Sequence, residues 1–221
     1  MALEHIIIKN LISKEISEFL FSYLNLKKTG VKLLREYNII SSLDRDHGIF
    51  GDGQLKGTQG YKNTYCIYGD AVFDTLLSKV KPIIEKKLKT KLVETYSYAR
   101  LYTKGNVLKK HTDRESCEFS ITLNLGGSPW PLFLENAKLD TLKINLKPGD
   151  ALIYQGAKYK HWREALAGDQ CGQVFLHYIK RDDQDNKDPR TGKYDFRHSL
   201  GLSRQQSDYL IDQIKKQREN N

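Results

Sequence analysis

The sequence predicts an α+β protein: N-terminal helices packed on a jelly-roll core of short strands. Two patterns carry the prediction. Apolar residues recur at helical spacing in 11–28 and 71–90, and from about residue 92 the period shortens to two, in brief runs separated by Gly, Pro, Asn or Lys. A chain of 221 residues and 25.5 kDa suits one domain, 1–221, with elaborations on its core. Its expected parts are a helical N-terminal portion with a Gly/Tyr-rich loop (1–91), a jelly-roll core (92–180), and a polar loop with a terminal helix (181–221).

In 11–28, Leu11, Ile12, Ile16, Phe19, Leu20 and Tyr23 fall at helical spacing, with Ser13 a candidate N-cap. Residues 41–69 are rich in Gly, Tyr and polar groups; a stretch that long and irregular reads as a functional or a disordered loop. Its Asp44, Asp46, His47 and Asp52 resemble a metal cluster, but the glycines around them favour a lid over an active-site mouth. In 71–90, Val72, Leu76, Val80, Ile83, Ile84 and Leu88 share a side, and Pro82 predicts a kink or a break. Strands are expected at 92–102, 118–125, 131–134, 141–146, 150–154 and 173–179, the spacing of a sandwich or barrel of the jelly-roll type. After Lys180 a polar stretch leads to a terminal helix over 203–218.

Composition narrows the function. With 39% apolar and 29% charged residues the chain is of ordinary globular make-up. No apolar run approaches the roughly 20 residues of a membrane span, and the N-terminal apolar stretch is too short and charge-interrupted for a secretory signal. Three scattered cysteines, Cys66, Cys117 and Cys171, give neither a disulfide scaffold nor a CxxC site, so a reduced, cytoplasmic protein is expected. The net charge of +9 favours anionic partners. The lysines of 79–91 and 215–218 read as solvated helix faces, and no zinc-finger, RNP or basic-zipper pattern accompanies them, so nucleic acid is a secondary partner class.

The segment with chemistry is 100–114, RLYTKGNVLKKHTDR. In extended backbone, residues two apart project to the same face, so His111 and Asp113 converge. An imidazole nitrogen and a carboxylate oxygen make two adjacent ligands for a divalent metal. His161 lies fifty residues on, enough chain to travel round a jelly roll and return beside them. Two histidines and one carboxylate on a single face leave positions open, as in non-haem Fe(II) oxygenases; spacing alone leaves zinc open.

Tyr102-x-x-Gly105-x-x-Leu108-x-x-His111-x-Asp113, followed by LKPGDALIYQG and His161, resembles the Fe(II)/2-oxoglutarate-dependent dioxygenases, and most of all their prolyl 4-hydroxylase-like branch. The likeness spans 92–180. It implies a double-stranded β-helix, with His111, Asp113 and His161 as metal ligands and catalytic centre. It implies that O2 and 2-oxoglutarate are consumed, succinate and CO2 are formed, and a substrate C–H bond is hydroxylated, with ascorbate as an accessory reductant. A peptidyl proline, a protein or a free amino acid is the implied substrate class. A nucleobase or nucleic-acid hydroxylase and a non-catalytic jelly-roll binding module are the alternatives.

The same resemblance gives Tyr102 a hydrogen bond to 2-oxoglutarate and asks for a basic residue about ten positions beyond His161. Residues 170–173 are Gln-Cys-Gly-Gln, which departs from that pattern. A buried dicarboxylate needs a cation, and Arg163, two residues beyond His161 on an extended strand, is the expected clamp; Lys180 is the alternative. Arg163 could instead sit at the rim, paired with Glu135 or Glu164. Thr122 and Asn124 alternate with Ile121, Leu123 and Leu125, so they either line the co-substrate pocket or face outward. Arg100, on the face of Tyr102, either binds substrate or pairs internally, and Arg114 is a second substrate candidate. Trp162 points away from the metal and is assigned to the core. His177 reads as a core histidine, and His5, His47 and His198 as surface residues.

Overall fold

The computed structural model describes residues 5–39, 49–50, 64–181 and 216. The Asp44/Asp46/His47/Asp52 cluster, His198 and all of the terminal helix except helical Lys216 lie outside these residues. In chain order the elements are β1 (His5–Ile8), α1 (Lys14–Glu36), β2 (Ile49–Phe50), β3 (Thr64–Tyr68), α2 (Ala71–Leu88), β4 (Leu92–Thr103) and β5 (Leu108–His111). After a 3-10 turn (Glu115–Cys117) come β6 (Phe119–Gly127), β7 (Leu132–Glu135), β8 (Thr141–Ile144), β9 (Ala151–Tyr154), β10 (His161–Arg163) and β11 (Gln170–Lys180).

The strands form two antiparallel sheets. The larger runs β1-β9-β6-β11-β4-β3-β2 and the smaller β5-β10-β7-β8. Side-chain alternation divides the apolar residues into two layers. Ala99 and Leu101 of β4, Ile121 and Leu123 of β6, and Val174 and Leu176 of β11 face the helices with Leu20, Leu24, Phe73, Leu77 and Ile84. Tyr102, Leu152, Tyr154, Cys171 and Phe175 face the smaller sheet's Leu132 and Leu134. The core predicted from sequence is therefore a two-sheet jelly roll, with both helices against one face. All three cysteines are buried and unpaired, and among the described residues no helix is long and apolar enough to cross a membrane.

The helices correct two expectations. Ser13 caps α1 as its sequence predicts, accepting from the Ile16 N–H at 3.2 Å. The buried stripe, however, is Ser17, Leu20, Leu24 and Val31. Ile16 and Phe19 are 48% and 64% exposed, while Leu11 and Ile12 are buried ahead of the helix. The Ser17 hydroxyl fixes the register of α1 on the sheet by donating to Leu125 O at 2.9 Å. Helix α2 begins at its N-cap Asp70, which accepts from the Val72 N–H at 3.0 Å, and runs through Pro82 to Leu88 without a break. Proline inside a helix costs about 3 kcal/mol; Val80 and Ile84, buried on either side of it, supply offsetting burial of about 2 kcal/mol each. Ile83 is 43% exposed.

Strands β1, β2, β3, β5 and β10 are not among the strands expected from the sequence. β3 lies within the stretch expected to be loop, where it pairs with β4.

Candidate metal centre

Strands β5 and β10 are neighbours, and His111 and His161 are direct partners across them. Fifty residues of chain thus return to bring two imidazoles together, their ring centroids 4.3 Å apart. Asp113 follows two residues after His111, and its N–H donates to Gly156 O at 2.9 Å, fixing the loop. Asp113 Oδ1 lies 3.5 Å from His111 Nε2 and 3.5 Å from His161 Nε2. One ligand atom from each residue lies within 4.8 Å of the others.

Each ring is oriented by its far nitrogen. His111 Nδ1 lies 2.7 Å from Lys109 O, and His161 Nδ1 3.1 Å from Tyr159 O. A carbonyl only accepts, so both Nδ1 atoms carry the proton and both Nε2 lone pairs face the gap beside Asp113. Burial alone would raise the Asp113 pKa, but with no metal between them the two imidazoles can take up a proton at Nε2 and donate to Oδ1, which holds the carboxyl well below the usual carboxylate range. Its second oxygen, Oδ2, accepts from Ser120 Oγ at 2.8 Å. That hydroxyl has spent its proton on Asp113, so His177 Nδ1, 3.1 Å away, donates to it. A Cβ at position 156 would collide with both Asp113 Oδ2 and Ser120 Oγ, so only glycine fits there.

Arg163 lies on β10 on the same face as His161 and is 2% exposed, which removes the rim alternative. Its Nη1 donates to Trp130 O and its Nη2 to Gln173 Oε1 at 3.2 Å, and its Cζ stands 4.9 Å from the Trp130 ring centroid. Its Nε is buried with no partner. Glu135 is engaged by Lys110 instead, and the nearest role of Glu164 is to accept from Trp130 Nε1 through its backbone carbonyl at 2.7 Å. Tyr102, 1% exposed, meets Trp130 edge-on at 4.7 Å. The Thr122 hydroxyl is buried and unpartnered. Lys180 is exposed at the end of β11.

Other expectations fare differently. Asn124 departs from the pocket: its Nδ2 donates to Leu146 O at 2.7 Å and its Oδ1 accepts from the Gly126 N–H at 2.9 Å. A bulge in the β6–β11 pairing lies just there and diverts the side chain to the turn. Arg100 is buried, donates to Thr64 Oγ1 at 3.2 Å and lies over the Tyr102 ring, which favours its internal role. Arg114 is exposed, with its Nε 3.3 Å from Tyr96 OH and its guanidinium over that ring. Trp162 does point away from the His111/Asp113/His161 cluster, but it is half-buried on the outer side of the small sheet, stacked on Phe133, and so does not belong to the core. His177 is a buried, hydrogen-bonded core histidine, and His5 is half-buried on its strand, not at the surface. Ser120, Trp130 and Gln173 escaped the sequence reading because their importance comes from cross-strand neighbours; only the alternation of Ser120 with Thr122 hinted at it.

No family model and no curated protein matches the sequence. Solved structures do match its fold, which is the jelly roll of the 2-oxoglutarate–Fe(II) oxygenases. The chain is similar to a prolyl 4-hydroxylase from Pseudomonas putida (12% identity, TM-score 0.59), covering 82% of this chain and 95% of that one. It is similar to a prolyl hydroxylase from Trichoplax adhaerens, solved with a hypoxia-inducible-factor peptide fragment (16% identity, TM-score 0.56, 80% and 84% covered). A third similar structure is a non-haem α-ketoglutarate-dependent epimerase of nogalamycin biosynthesis (10% identity, TM-score 0.55, 86% and 89% covered).

Proposed function

We propose that this chain is an Fe(II)- and 2-oxoglutarate-dependent dioxygenase that hydroxylates a C–H bond, with a peptidyl proline or an amino acid as its substrate. The observation that carries the reading is the convergence of two Nε2 lone pairs and one carboxylate, with a buried arginine on the same strand that no described carboxylate neutralises. A binding module would have no use for all three ligands or for that uncompensated cation.

The residues fit both groups. His111, Asp113 and His161 hold the metal, and their two neutral nitrogens and one anion suit a divalent ion of intermediate softness. Arg163 Nε and the Thr122 hydroxyl are buried polar groups without a partner, of the kind a dicarboxylate satisfies, and Tyr102, against the same Trp130 ring as Arg163, offers a phenol. When bound, Fe(II) and 2-oxoglutarate supply the oxidant: one oxygen atom of O2 goes into succinate as CO2 is lost, and the other into the substrate C–H bond. The chain's own part is to orient and to exclude water. The Lys109 and Tyr159 carbonyls aim the imidazoles, Ser120 turns Asp113, and the buried apolar layer of Leu152, Tyr154 and Phe175, with Tyr154 edge-on to His161, keeps water from that side. The peptide carried by the Trichoplax structure supports the peptide class for the substrate.

Supplying purified protein with Fe(II), 2-oxoglutarate and air tests the reading. Slow succinate release without added substrate, lost in Asp113→Ala, is expected. Release of equal size from the variant would refute it.

A further inference from the structure

Gln173 stands on the central strand β11 near the place where the prolyl 4-hydroxylase-like pattern asks for a cation, and it is 1% exposed. Its amide is oriented on both sides. Oε1 accepts from Arg163 Nη2 at 3.2 Å, and Nε2 donates to Cys171 Sγ at 3.1 Å. Trp130 O takes Nη1 of Arg163, so two of the three guanidinium nitrogens are anchored and the buried Nε is the one left without a partner. Directly across the sheet from Gln173 is Arg100 on β4. A lysine or arginine at 173 would place a third buried cation against Arg163 and Arg100, at a like-charge cost. A glutamate would ion-pair with Arg163 and cancel its charge.

We propose that Gln173 is the positioning residue of the co-substrate clamp: a neutral amide that holds Arg163 with its Nε side turned to the pocket, so that the Arg163–Gln173 pair replaces a single cation at 173. The inference rests on the dioxygenase reading above. It explains why this position is polar yet uncharged. An apolar residue would release the guanidinium, and a charged one would either repel or quench it.

The test is calorimetric titration of 2-oxoglutarate, and of 2-oxobutyrate, which lacks the distal carboxylate, into Mn(II)-loaded protein without turnover. The native protein binds 2-oxoglutarate more tightly by at least tenfold. Gln173→Glu loses that preference, with 2-oxobutyrate affinity, Mn(II) affinity and the circular-dichroism spectrum unchanged. Gln173→Met, neutral but without the acceptor, weakens 2-oxoglutarate alone, by threefold or more. If Gln173→Met binds 2-oxoglutarate as the native protein does, or a folded Gln173→Glu keeps the preference, the positioning role is overturned. A native protein that holds Mn(II) but binds neither acid overturns the dioxygenase reading itself.

Discussion

Ser120 and Asp113 are joined by a 2.8 Å hydrogen bond to the carboxylate oxygen that does not face the two histidines. One oxygen of Asp113 is thereby engaged by Ser120 and the other is left facing the two imidazoles. His177 holds the hydroxyl from behind.

Ser120→Ala frees the Asp113 carboxylate to rotate. Groups that orient a metal ligand are worth about 10- to 100-fold in metal affinity. The expected outcome is a Mn(II) dissociation constant raised by a factor in that range, with an unchanged circular-dichroism spectrum. Electron paramagnetic resonance of free Mn(II) checks it; unchanged affinity would mean that the hydroxyl only fills space.

Arg163→Met separates binding from folding. A buried cation without a carboxylate carries a desolvation cost, so an apolar side chain of similar length leaves the unliganded protein as stable or more so. The guanidinium is also the proposed charge partner of the co-substrate, so 2-oxoglutarate affinity drops by about 100-fold, the scale of a charge-assisted hydrogen-bond pair. Melting temperature and calorimetry on one preparation read both effects. Lower stability with intact affinity would contradict the assignment.

Asp74 on α2 gives a pH dependence remote from the site. Burial pushes its pKa up to about 7, against the opposing hydrogen bond from Ser97 Oγ at 2.6 Å, and the Asp70 and Glu94 charges add to the rise. The folded state therefore favours the protonated acid. Its contribution to stability is fully present below the ordinary value of 3.8 and is lost as pH rises toward 7. Asp74→Asn, which keeps an acceptor for Ser97, raises the melting temperature relative to the native protein at pH 8 and converges with it near pH 4. A pH-independent difference between the two proteins would contradict this.

The His111/Asp113/His161 cluster was legible because alternation, carried past the end of β5 into the loop that the Asp113–Gly156 hydrogen bond fixes, keeps Asp113 beside His111, and because a jelly roll returns the chain after enough strands to bring back His161. The same alternation brought Arg163 to the inner face. It failed at Asn124, where the bulge in β6 turns an inward residue toward the turn at Leu146. On α1, two apolar stripes compete, and the sequence could not say which one the sheet would cover. Tertiary packing chose Leu20 and Leu24 over Ile16 and Phe19. Gln173 and Ser120 were invisible for a different reason. Each matters through a partner on another strand, and the pairing register is a property of the folded sheet.

The central claim is that His111, Asp113 and His161 hold iron beside a 2-oxo acid. Anaerobic titration of Fe(II)-loaded protein with 2-oxoglutarate tests it most directly. The account predicts a weak visible charge-transfer band that saturates at one equivalent and is absent in His161→Ala. Iron that binds with no band at any concentration of 2-oxoglutarate would contradict it.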